Sequence, residues 1–133
     1  MILVDSNVLL DLFTADEAWE AWSRARLGEA LAGEGACINP IVFAEVSLAF
    51  AHERELTSQL HLLGIERREL PYGAAFGAGR AFLSYRRRGG ERRSPLPDFY
   101  IGSHAASAGF RLLTRDARRY RTYFPTLPLI APE

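Results

Sequence analysis

The sequence contains no lysine: all 16 of its basic residues are arginine. A site that needs an ammonium beside an aspartate, as aspartyl phosphoryl-transfer chemistry does, is therefore excluded. Cysteine is nearly as scarce. Cys37 stands alone, so no internal disulfide can form. Cys37 and the three histidines also show no zinc-ligand spacing. No apolar run approaches the roughly 18 residues of a membrane span. The apolar start is interrupted at Asp5 with no basic segment before it, so the expectation is a cytoplasmic protein without a cleavable leader. Repeats, low-complexity tracts and linkers are missing too. With 48% apolar and 24% charged residues, the expectation is a single ordinary domain over residues 1–133.

The zero net charge hides an asymmetry. Residues 1–79 hold 5 Arg against 12 Asp or Glu, a balance of −7, whereas residues 80–121 hold 11 Arg against three acids, a balance of +8. The second segment is a candidate contact for a polyanion. Its densest part, Tyr85-Arg-Arg-Arg-Gly-Gly-Glu-Arg-Arg93, contains Arg86, Arg87, Arg88, Arg92 and Arg93; Arg115 lies beyond. Arginine pairs with phosphate bidentately and stacks on unpaired bases. The bland alternative is a solvated, charged helix end.

Short apolar runs alternate with longer helical patterns. Ile2–Val4 reads as a strand and Asn7–Phe13 as a helix. Thr14 with Glu17 resembles a capping box opening a helix to about Leu31. Cys37-Ile38 is a strand, and Pro40 suits the first turn of a helix whose apolar stripe is Ile41, Ala44, Leu48 and Ala49. Further helices are predicted over Glu53–Leu63, Tyr72–Arg87 and Asp98–Ala108, and further strands over Ile65–Leu70, Arg111–Thr114 and Leu127–Ile130. This alternation predicts parallel strands joined by helical crossovers, a three-layer α/β domain. Ligands in such sheets gather outside the carboxyl ends of the strands.

Asp5 and Asp116 both follow an apolar strand within two residues. Either alone is equally well read as the N-cap of the next helix. Glu45 has Ile41, Val42, Leu48 and Ala49 three and four residues away, which predicts an interior-facing carboxylate that needs a cation or a buried arginine partner. Asp98 opens its helix, where the helix dipole suits it. The small residues Gly102 and Ala105 on the same face predict close approach to another backbone. Four carboxylates collected at one sheet edge could not all stay ionised without a cation. Mg²⁺ or Mn²⁺, hard ions that take oxygen ligands, fit that donor set.

VDSNVLLDLF, IVFAEVSLAF, PLPDFYIGSHA and LLTRDARRYRTYFP resemble, in order and spacing, the four acidic motifs of the PIN domain. The match is closest to VapC-type toxins, small metal-dependent ribonucleases of bacterial toxin–antitoxin pairs, and spans essentially the whole chain. The resemblance places the catalytic acids at Asp5, Glu45, Asp98 and Asp116, with Asp5, Asp98 and Asp116 as metal ligands. Thr114 matches the hydroxyl residue of the last motif, and Ser6 and Asn7 the small polar positions after the first acid. It implies a three-layer α/β/α fold around a mostly parallel sheet of four to five strands. It further implies Mg²⁺, with Mn²⁺ as substitute, hydrolysis of single-stranded or loop RNA, a cognate antitoxin over the acidic site, and a homodimer.

Aspartyl phosphatases of the haloacid dehalogenase type and phosphorelay receiver domains also begin with a strand ending in Asp. The former need a second Asp where this chain has Asn7, and both need the missing lysine. A fold-retaining module that binds RNA or protein without cutting stays open. Asp11 reads as an exposed helix residue, His104 as a hydrogen-bonded structural histidine, and Trp19, Trp22 and Phe43 as core or dimer contacts.

Overall fold

The computed structural model describes residues 1–90 and 95–133. Five short strands, β1 (Ile2–Val4), β2 (Ala36–Ile38), β3 (Glu66–Arg67), β4 (Arg111–Leu113) and β5 (Leu129–Ile130), form one sheet in the order β3-β2-β1-β4-β5. Every neighbouring pair is parallel, so each connection must cross over. The crossovers carry α1 (Ser6–Phe13), α2 (Glu20–Ala32), α3 (Pro40–Val46), α4 (Glu53–Leu63), α5 (Tyr72–Arg87), α6 (Leu96–Ala108) and α7 (Arg118–Tyr123). The predicted α/β architecture is thus present, with the sheet parallel throughout and flanked by helices.

β1, β2 and β4 are the buried centre. Leu3, Val4, Cys37, Ile38, Leu112 and Leu113 are inaccessible to solvent, with Val8, Leu9, Val42, Leu56 and Ile101 packed around them. Strand order then fixes the site. From β1 the chain adds β2 and β3 on one side, returns, and adds β4 and β5 on the other. The crevice at such a reversal opens at the carboxyl ends of the two strands flanking it, here β1 and β4, which lead into Asp5 and Asp116.

Several local expectations are corrected. Thr14 does not open a capping box: it closes α1, its hydroxyl donating to Leu10 O at 2.6 Å. Asp16 serves the next turn instead, accepting from the Ala18 and Trp19 amides at 2.9 Å. The stripe expected on α3 is also wrong. Leu48 is 88% exposed, because α3 ends at Val46 and gives way to a 3₁₀ turn over Ser47–Ala49. The face that α3 buries is Val42 and Val46. β3 is limited to two residues rather than the expected run from Ile65 to Leu70. On α6, a Cβ at Gly102 would meet the Phe124 ring, so the small residue admits an aromatic side chain, not a backbone. The close approach to α6 is made by α5, where a Cβ on Gly77 would strike the Ser103 hydroxyl.

Candidate active site

Asp5 ends β1 with its amide donating to Leu113 O at 2.9 Å, which ties it to the end of β4. It is the N-cap of α1, with Oδ1 accepting from the Ser6 amide at 2.8 Å. Oδ2 accepts from the Thr114 hydroxyl at 2.8 Å and from the Tyr120 phenol at 2.9 Å. The two readings of Asp5, helix cap and cleft carboxylate, therefore coexist in one side chain. It is 4% exposed. Burial, with the charge of Asp98 added, pushes its pKa up to about 6 against the pull of these three donors.

Glu45 reaches Asp5's neighbourhood from α3, accepting from the Ser6 hydroxyl at 2.9 Å. It is half-buried, and burial raises its pKa, with Asp98 adding to the rise. The interior-facing position was predicted, although Leu48 and Ala49, two of the four apolar neighbours that pointed to it, face solvent. Asp98 occupies the first turn of α6. Burial raises its pKa, Arg119 lowers it, and Asp116 raises it again. Asp116 is exposed, and its amide donates to the Thr114 hydroxyl at 3.1 Å. Asp5, Asp98 and Asp116 line one cleft of about 710 Å³ together with Tyr85, Arg118, Arg119 and Tyr123. Glu45 lies outside its lining, linked to it through Ser6.

Thr114 and Asn7 brace the junction. The Thr114 hydroxyl touches Asp5, Asn7 and the Asp116 amide, while Asn7 accepts from the Arg115 amide at 3.3 Å. Tyr120 was not singled out from the sequence. It is 1% exposed, and burial together with Asp5 holds its phenol far above its ordinary pKa, so it stays a proton donor. The spacing Ala117, Tyr120, Phe124 is the helical signal that would have turned it inward.

Two other expectations change. Asp11 is not an exposed helix residue but is 2% exposed. Its Oδ2 accepts from the Ser23 hydroxyl at 2.6 Å, and Arg115 Nε donates to both its carboxylate oxygens, to Oδ2 at 2.9 Å and to Oδ1 at 3.1 Å. Arg115, expected to meet RNA, is tied to Asp11 and lies 5.6 Å over the Trp19 ring. The geometry thus makes it a brace between α1, α2 and the end of β4. Arg86, Arg87 and Arg88 are exposed at the end of α5, and Arg88 lies 5.2 Å over the Tyr123 ring. Arg92 and Arg93 lie outside the described residues. His104 is buried, its Nδ1 within 3.0 Å of Asn39 Nδ2, as a structural histidine would be.

Among the described residues, no three His, Cys, Asp or Glu side chains stand close enough together to enclose a metal ion. Asp98 Oδ2 instead accepts from Arg119 Nη1 at 2.5 Å. The donor chemistry nevertheless fits a hard cation. It is all oxygen, and three of its carboxyls are held above their ordinary pKa values by burial and by one another, a cost that a bound cation would offset.

The PIN domain family model matches residues 2–125. No curated protein matches the chain in sequence. Among solved structures, VapBC2 from Rickettsia felis, bound to a DNA fragment from its promoter, superposes with a TM-score of 0.74 at 18% identity, covering 100% of both chains. VapBC-1 from nontypeable Haemophilus influenzae gives 0.72 at 15%, covering 98% of each. A toxin–antitoxin complex from Klebsiella pneumoniae gives 0.63 at 23%, covering 100% of this chain and 98% of that one.

Proposed function

Because the chain belongs to the PIN domain family, we propose that it is a Mg²⁺- or Mn²⁺-dependent endoribonuclease, the toxin of a VapC-type toxin–antitoxin pair acting in the cytoplasm. The observation that carries this reading is the convergence of Asp5, Asp98 and Asp116 on one cleft at the sheet's reversal point, with Glu45 one hydroxyl away. Asp5, Asp98 and Asp116 would hold the ion. A divalent cation there supplies a Lewis acid for the scissile phosphate and a more acidic water.

The chain's own residues do the rest. Ser6, Thr114 and Tyr120 fix the Asp5 carboxylate by three donated hydrogen bonds, and the Ser6 hydroxyl orients Glu45. Outer contacts of this kind are worth roughly 10- to 100-fold in affinity or activity. Glu45, its pKa raised by burial, is suited to accept a proton from the attacking water. In-line displacement leaves a 5′-phosphate and a 3′-hydroxyl.

Substrate is drawn in by the arginine-rich end of α5. Replacing Arg86, Arg87 and Arg88 together by alanine weakens RNA binding without loss of stability, since all three are exposed. It lowers the slope of log affinity against log salt by about 2, as expected for three single-strand phosphate contacts. Fluorescence anisotropy across salt concentrations reads both effects.

The toxin reading supports a cognate antitoxin and a homodimer. Expression of the chain alone arrests growth, and co-expression of the adjacent gene relieves the arrest. Normal growth with no RNA cleaved would contradict it. Sequencing RNA 5′ ends after brief induction reports the target.

A further inference from the structure

Arg119 bridges the two halves of the cleft. It sits on α7, three residues after Asp116, and its Nη1 donates to Asp98 Oδ2 on α6. Its guanidinium carbon lies 5.9 Å over the ring of Tyr85 from α5. Both partners of the ion pair are partly open to the cleft, with side chains 39% and 30% exposed. Asp5 differs: its two oxygens are met by Ser6, Thr114 and Tyr120, none of which brings a charge. Arg119 is thus the cation paired with the acidic cluster among the described residues, and it holds one oxygen of a carboxylate that the ion would need.

We propose that Arg119 changes partners: without a divalent ion it holds Asp98, and when an ion takes that carboxylate it grips a phosphate of the bound RNA. The inference rests on the nuclease reading. A half-exposed ion pair is weak and yields to a divalent ion at modest cost. The freed guanidinium stays in the cleft, because Tyr85 supports its flat face. Tyr123, 6.0 Å from Tyr85, carries Arg88 in the same manner. Tyr85 and Tyr123 both line the cleft with the acids, and each carries a guanidinium, an arrangement suited to phosphates of a single strand.

Competition and exchange make opposite marks on two binding constants. Arg119→Met keeps the side chain over Tyr85 and removes the charge. By calorimetry with Mn²⁺ alone, this variant binds the ion about three- to tenfold more tightly than the wild type. By anisotropy with a short phosphorothioate RNA, Mn²⁺ tightens binding to the wild type several-fold and to the variant much less. Arg119→Gln repeats both measurements should the methionine variant fail to fold. Equal or weaker Mn²⁺ binding by the variants, or equal tightening of RNA binding by Mn²⁺, overturns the exchange while leaving the nuclease reading intact. A wild type that binds no Mn²⁺ overturns both.

Discussion

In EDTA at pH 8, Asp5→Asn is more stable than the wild type, although it loses RNA cleavage by on the order of 10³-fold when Mn²⁺ is restored. The stability gain follows from the direction of the pKa shift. Asp5 rises from 3.8 to about 6 in the folded protein, so the fold binds its proton more tightly than the unfolded chain does. The associated stability is present below pH 4 and is lost as pH rises through 6. Over that window the cost of keeping Asp5 ionised reaches about 3 kcal/mol.

Asparagine avoids that cost. It gives up the hydrogen bond from the Ser6 amide, worth about 1 kcal/mol, leaving a net gain of roughly 2 kcal/mol at pH 8 that shrinks to zero at about pH 4.5 and becomes a small loss below it. Urea unfolding at the two pH values measures it. Glu45 and Asp98 shift in the same direction, so the ion-free wild type as a whole weakens between pH 4 and 7. An Asp5→Asn protein less stable than the wild type at pH 8 would show that the carboxylate is held by its donors rather than strained by its burial.

Arg115→Ala destabilises the protein by about 2–3 kcal/mol and leaves the RNA affinity of the folded fraction nearly unchanged. Asp11 is 2% exposed while the Arg115 side chain is 31% exposed, so removing the arginine leaves a buried carboxylate with only the Ser23 hydroxyl. Breaking a fully buried pair costs about 3–5 kcal/mol, and the partial exposure of Arg115 reduces that. The contrast with Arg86, Arg87 and Arg88, whose removal affects RNA and not stability, separates two arginine roles. A variant of full stability with weakened RNA binding would restore Arg115 to the phosphate contacts.

Charge composition could not make that distinction. Arg115 and Arg87 sit in the same basic segment, and only the fold places Asp11 and Trp19 beside the first and leaves the second exposed. The sheet was legible because Ile2–Val4, Cys37-Ile38 and Arg111–Leu113 are short apolar runs set between helical patterns, and parallel order follows from the crossovers. Asp5 and Asp116 were legible as strand-end acids for the same reason.

Asp11 was hidden because its partner is 104 residues away, and helical periodicity cannot distinguish a buried ion pair from an exposed acid. Thr14 misled because Asp16, two residues later, is the stronger competitor for the open amides of the next turn. The stripe on α3 misled because helical spacing was carried past Val46, where the helix had already ended. Tyr120 escaped because a tyrosine among arginines reads as surface until Ala117 and Phe124 are seen on its face.

On the nuclease reading, Asp5, Asp98 and Asp116, with Glu45 linked to them through Ser6, make one ion-dependent cutting centre. Incubating purified protein with total RNA in Mn²⁺ or in EDTA, beside a folded Asp5→Asn control, decides the point. The wild type cleaves in Mn²⁺ and not in EDTA, and the control cleaves measurably in neither. RNA bound but left intact in Mn²⁺, or cut equally in EDTA, would contradict it.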